Sequence, residues 1–190
     1  MNRRVVVGVT GASGAIYAER VITALKAANV DVDLVFTKTG RVVWQHEIGR
    51  DPRELGCPIW AANDFTAPIA SGSVRIDGMI VVPCSSGSAA RIAHGLSIDL
   101  VGRAADVVLK ERRPLVLVLR ESPLSLVHLR NLTQLAEAGA VVLPASPGFY
   151  HRPQSIEELV DHVVCRALDR LGIDNELSRR WAGLGDPHDE

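Results

Sequence analysis

Two adjacent opposite charges, Arg120-Glu121, directly follow the apolar run Leu115 to Leu119. An arginine there can hold a phosphate through two parallel hydrogen bonds, and a carboxylate beside it can exchange a proton with that phosphate. The plain alternative is a rim ion pair worth about 0–1 kcal/mol. Lys110 closes a helical pattern before Arg112, Arg113 and Pro114. Cations there suit the helix dipole, yet a lysine at a helix end can also be aimed at an anion. Arg166 is a lone cation within Val163-Val164-Cys165-Arg166-Ala167-Leu168, where burial would force it to find a partner or a phosphate. Tyr150 lies in PASPGFYHRP, a loop fixed by three prolines, and its phenol serves either a satisfied core position or a ligand. The six histidines have no H-E-x-x-H or comparable spacing, so no catalytic metal is expected.

Two loops carry small and hydroxylated residues. In GVTGASGAIY the glycines are Gly8, Gly11 and Gly14, which is not G-x-G-x-x-G, and no Gly-Lys-Ser/Thr closes a Walker loop. Ser85-Ser86-Gly87-Ser88 repeats the arrangement after another apolar run. Either could be only a tight turn with a capping serine. Both placed before helices, with free backbone N–H groups, point to a ligand that carries a phosphate.

The elements that position these residues are legible as runs. Val5–Val9, Val32–Phe36, Met79–Val82 and Leu115–Leu119, with a weaker Val141–Leu143, are rich in β-branched residues without alternation, which predicts strands covered on both faces. Helical stripes fall at Ile16–Ala28, Leu100–Glu111 and Leu124–Ala138, and Ser155-x-x-Glu158 reads as a capping box opening a helix to about Leu171. Strand and helix alternate, so the fold expected is α/β: a doubly wound, mostly parallel open sheet with helices on both faces, Rossmann or flavodoxin-like. Ligands then bind beyond the carboxyl ends of the strands, where both loops and Arg120 lie. Gly49 to Ser73 reads as a long loop with a short helix.

Length and composition agree with one domain over residues 1–190, ending in a tail from about 173 that docks through Trp181. The hydrophobic fraction is 47% with 4% aromatics, a core of Val, Leu, Ile and Ala. A net charge of -1 gives no footprint for nucleic acid or a membrane surface. Cys57, Cys84 and Cys165 show no C-x-x-C spacing, and no apolar run is long enough for a signal or a span, so a cytoplasmic protein is expected.

GVTGASGAIY, VVPCSSGS, RAADVVLKERRPLVLVLRESPL and PGFYHRP, which together reach from Gly8 to about Arg180, resemble the UbiX-type flavin prenyltransferases. That resemblance implies joining a dimethylallyl group, from dimethylallyl phosphate, to N5 and C6 of reduced FMN, without a metal. The product, prenylated FMN, would go to a UbiD-type decarboxylase. It places Gly11, Ala12, Ser13, Thr37, Ser85, Ser86, Gly87, Ser88 and Arg120 at the flavin. Glu47, Arg103, Lys110, Tyr150 and Arg166 fall to the substrate, with Tyr150 and Arg166 reaching that of a neighbouring protomer in a homo-oligomer, commonly a dodecamer in relatives. Ser13, Glu121, Lys110 and Trp181 are the expected catalytic set. Proton removal at ring closure stays open between Glu121, Ser13 and the departing phosphate, as does a mono- or diphosphate donor. The chain departs from the family pattern at Ser86, where relatives carry a bulky apolar residue, and in kind at Thr37, Ser88 and Gly148. Two rivals are a non-catalytic flavin carrier and a flavin-dependent cysteine decarboxylase. The latter's P-x-M-N-x-x-M-W signature needs methionines that a chain with only Met1 and Met79 lacks.

Overall fold

Apolar runs with branched side chains become strands here because both of their faces are covered. The computed structural model of the protein describes residues 2–181 and 183. Six strands, β1 (Arg4–Val9), β2 (Asp31–Phe36), β3 (Ile59–Trp60), β4 (Gly78–Cys84), β5 (Leu115–Leu119) and β6 (Val141–Pro144), pair in parallel in the order β3-β2-β1-β4-β5-β6. The order reverses between β1 and β4, which opens a crevice at their carboxyl ends.

Side chains alternate between the two faces. Val5, Val7 and Val9 of β1 face one layer with α1 (Ala15–Ala27), α2 (Lys38–Glu47) and α6 (Ile156–Arg170). Val6, with Met79 and Val81 of β4, faces the other, built from α3 (Ser86–Ala93), α4 (Leu100–Lys110) and α5 (Leu126–Glu137). Each fully buried Val or Leu is worth about 1.5–3 kcal/mol, so the two layers hold the sheet from both sides. The sheet is fully parallel where a mostly parallel one was expected, and the runs without alternation are covered on both faces.

Two helices and one strand add to the sequence reading. α2 lies in a stretch given no element, α3 supplies the helix expected to follow Ser85–Ser88 without its extent having been read, and the long segment after Gly49 holds two short 3-10 turns and the two-residue β3. Ser155 accepts from the Glu158 N–H, but the Glu158 carboxylate reaches back to Gln154 N rather than to Ser155 N, so the box closes one residue early. The described part of the tail is pinned by Arg180, which pairs with Asp169 of α6 through two nitrogens at 3.0 and 2.9 Å. The remainder of the expected tail, residues 182 and 184–190, lies outside the described residues.

Candidate active site

Thr10, fully buried at the end of β1, ties the crevice together. Its hydroxyl donates to Pro83 O at 2.7 Å and accepts from Ser85 N at 2.8 Å, so the loops after β1 and β4 are tied to each other. The signal was there: a lone hydroxyl ending an apolar run. Ser85 then heads α3, its Oγ accepting from Ser88 N. Ser88 is buried, and its own hydroxyl accepts from Ser85 Oγ and Arg91. Thr37 is likewise buried and heads α2 by accepting from Gly40 N at 3.0 Å. The hydroxyls of Thr37, Ser85 and Ser88 therefore shape the crevice walls while Gly11, Ser13 and Gly87 stand exposed at its mouth and Ala12 is buried behind them.

The first turn of α1 departs from the expectation of free N–H groups. Its cap is Gly14, which has no side chain to offer, and Glu47 at the end of α2 accepts from Gly14 N at 2.8 Å and Ala15 N at 2.7 Å. An acidic group fits there because the helix N-terminus is positive. Burial pushes the Glu47 carboxyl up, but hydrogen bonds from Ser13, Ala15 and Gly14, with Arg120 nearby, more than offset this and hold it below its usual range.

Arg120 leaves the end of β5 and donates through Nε to Ser13 O at 3.0 Å, bridging the β1 loop to the β5 end. Glu121 accepts from Ser86 Oγ at 2.6 Å and Ser122 N at 3.2 Å. The Ser86 hydroxyl holds that carboxyl below the ordinary range, against partial desolvation and with help from Ser122, His128 and Arg120. The departure at Ser86 thus has a consequence: the hydroxyl grips the neighbouring carboxylate. Cys84 beside it is no nucleophile, because full burial pushes its thiol up to about 12.

The remaining expected residues fall in two other places. Arg103 and Lys110 lie on α4, two turns apart. Arg103 donates to Ala70 O and pairs with Asp106 at 2.8 Å, and Lys110 pairs with Glu111. α4 ends where the chain enters β5, so Lys110 stands at the amino edge of the sheet. Tyr150 and Trp181 meet edge to face at 5.4 Å and line a cleft of about 280 Å³ with His151, Arg152 and Arg179. Arg166 is exposed on α6, which corrects the expectation of a buried cation. Val163, Val164, Ala167 and Leu168 take the sheet-facing stripe, and the helical period turns Arg166 outward. Gly148, another departure, sits against Tyr150 and His162. Among the described residues no three His, Cys, Asp or Glu side chains group as metal ligands, and no helix is long and apolar enough to cross a membrane.

Residues 1–168 match the Flavoprotein family. The flavin prenyltransferase UbiX of Synechocystis sp. is 48% identical over 203 residues, covering 96% of this chain and 98% of its own. The chain belongs to the UbiX-type flavin prenyltransferases. Among solved members, the structure of AnUbiX (PadA1) in complex with FMN and dimethylallyl pyrophosphate superposes with a TM-score of 0.94 at 46% identity, covering 96% of this chain and 99% of that one. A dodecameric FMN-dependent UbiX-like decarboxylase from Escherichia coli O157:H7 superposes at 0.91 with 42% identity, covering 95% and 100%. The UbiX-type fold therefore extends over the crevice, the 144–153 loop and α6 alike.

Proposed function

We propose that the protein transfers the dimethylallyl group of an allylic phosphate to N5 and C6 of reduced FMN, yielding prenylated FMN for a UbiD-type decarboxylase. The observation that carries this reading is the near-full-length match, in sequence and fold, to flavin prenyltransferases, one of them holding FMN and dimethylallyl pyrophosphate. The residues present fit a flavin phosphate. The first-turn N–H groups of Ser86 and Gly87, open space around Gly87, and the Arg120 guanidinium form a donor-rich cradle between the β1 and β4 loops. Reduced FMN, when bound, supplies the nucleophilic nitrogen and then the ring carbon.

The side chains do the rest. Cleaving the allylic C–O bond leaves positive charge on the allyl group and sends the electron pair to the phosphate, so cations and hydroxyls are needed at one end and a π-face at the other. Arg103, Lys110 and Arg166, with the Tyr150 phenol, answer the first need, and Trp181 answers the second. Arg120 and Glu47 order Ser13 at the mouth of the crevice. Ring closure at C6 releases a proton, for which the ionised Glu121, Ser13 and the departing phosphate are the available acceptors.

Anaerobic incubation of the purified protein with reduced FMN and dimethylallyl monophosphate, followed by mass analysis of the released flavin, tests the proposal. A mass gain of one dimethylallyl unit is expected, and repeating with the diphosphate identifies the donor. Bound but unmodified FMN with both donors would convert the reading to that of a flavin carrier.

A further inference from the structure

His162, on α6 one turn before Arg166, is held from two sides by the 144–153 loop. The Gly148 N–H donates to Nδ1 at 3.2 Å, and Tyr150 Oη lies 3.1 Å from Nε2. A backbone N–H can only donate, so Nδ1 must carry a lone pair, and the proton of the neutral ring must sit on Nε2. Nε2–H then donates to the tyrosine oxygen, and the tyrosine O–H remains free for another acceptor. No other described residue takes it.

The ring is fixed in this pose. His151 stacks on it at 5.2 Å and 7°, and Tyr150 meets its edge at 5.6 Å and 76°. Gly148 makes the approach possible, since a Cβ there would come within 3.0 Å of Tyr150 Cε1 and 3.3 Å of His162 Cε1 and Nε2. We propose that His162 is a positioning residue: its neutral Nε2–H form orients Tyr150 so that the phenol donates its proton to the phosphate of the allylic donor. The identity of that anion rests on the function proposed above.

Protonation of His162 would break the relay. A proton on Nδ1 would face the Gly148 N–H, donor against donor, and a positive ring would stand beside Arg166 and under His151. Burial, followed by His151 and Arg166, accordingly pushes the His162 pKa down. The nearby acids are engaged elsewhere, Asp161 by Arg20 and Glu158 by Gln154 N. From the tail, Arg180 is paired with Asp169 while Arg179, with Arg152 of the 144–153 loop, lines the Tyr150 cleft. The neutral ring is therefore the form present near pH 7, and it is lost as pH falls through the lowered pKa.

The test compares wild type, His162→Phe, Tyr150→Phe and the double variant in anaerobic prenyl transfer with reduced FMN saturating, dimethylallyl monophosphate varied, and pH scanned from about 5.5 to 8.5 around the histidine range. His162→Phe is expected to raise KM for the donor about tenfold, the loss of one hydrogen bond, with FMN affinity unchanged. The double variant should be no worse than Tyr150→Phe, the kcat/KM profile of His162→Phe should keep only the acid limb of the donor phosphate itself, whose second pKa is about 6 and is titrated separately, and His162→Gln, with an amide donor, should recover part of the loss. Additive penalties, or an acid limb in His162→Phe unchanged from wild type, overturn the proposal. Solid-state NMR of 15N-histidine-labelled protein reads the tautomer independently. Protonated Nε2 with bare Nδ1 at His162 supports the relay, and the opposite tautomer or an imidazolium near pH 7 overturns it whether or not product forms. If wild type makes no product, the transferase reading falls alone, and the four proteins are then compared by calorimetric titration with inorganic phosphate, where the same non-additivity decides.

Discussion

Glu121 is a carboxylate kept ionised by its neighbour. The Ser86 hydroxyl at 2.6 Å lowers its pKa, so at neutral pH it can accept a proton but cannot donate one. Glu121→Gln keeps the shape and the hydrogen-bond partners while removing the basic oxygen. Product formation should fall about 10²- to 10⁴-fold while FMN stays bound, measured by anaerobic turnover and flavin titration; unchanged turnover would leave Ser13 or the leaving phosphate as the acceptor. Ser86→Ala releases the carboxyl toward its ordinary value. A carboxylate base works above its pKa, so the acid limb of kcat should move to higher pH in Ser86→Ala. Glu47 poses the corresponding question for stability. Its folded-state pKa is lowered, so its contribution is present above the unfolded value and lost as pH falls through the folded one. Glu47→Gln should cost about 0.5–1 kcal/mol near neutral pH, and thermal unfolding should show that gap closing as the wild-type carboxyl becomes protonated.

Five of the six strands and four of the six helices were readable because their residues state their surroundings. Val5 to Val9 or Leu115 to Leu119 can only be content with both faces covered, and the stripe of α4 announces a one-sided helix. α2 and the extent of α3 were not readable for the same reason in reverse. α2 buries only Gly40 and Trp44 of its ten residues, and α3 opens with Ser86-Gly87-Ser88, which on its own is turn chemistry; tertiary packing makes both helices. The role of Glu47 was hidden too, since its acceptor oxygen meets a backbone 33 residues away, a separation that no local pattern encodes. Arg166 was misread as buried because its apolar neighbours were weighed without the helical period that turns it outward. Gly40 is where such packing is most exacting: a Cβ would lie 2.3 Å from Val9 O, so α2 could not keep its place over the end of β1. Gly40→Ala should destabilise by about 1–3 kcal/mol, each worth about 2–4 °C in Tm for a chain of this size. A calorimetric scan checks it, and an unchanged Tm would mean that α2 shifts freely.

The expected donor-binding residues do not come together in one chain. Arg103 and Lys110 belong to α4, in the layer packed on Val6 and Met79, whereas Tyr150 and Arg166 belong to the α6 side, packed on Val5 and Val7. The sheet stands between them, and Lys110 lies at its amino edge while the crevice lies at its carboxyl edge. A phosphate that touches both sets must therefore sit between chains. The surface offers material for association: Leu124, Leu126, Val127 and Leu129 are 38%, 60%, 63% and 48% exposed, just after Arg120-Glu121, a clustering typical of an interface. Lys110→Ala and Arg166→Ala should each be nearly inactive alone. If each phosphate site takes Lys110 from one chain and Arg166 from another, co-expressed mixtures of the two variants contain some sites with both residues intact, and these should regain a measurable fraction of wild-type turnover. Mixing after assembly, with exchange blocked, should regain none. Recovery in neither case would mean that the two residues do not complement one another across chains, and would overturn this arrangement.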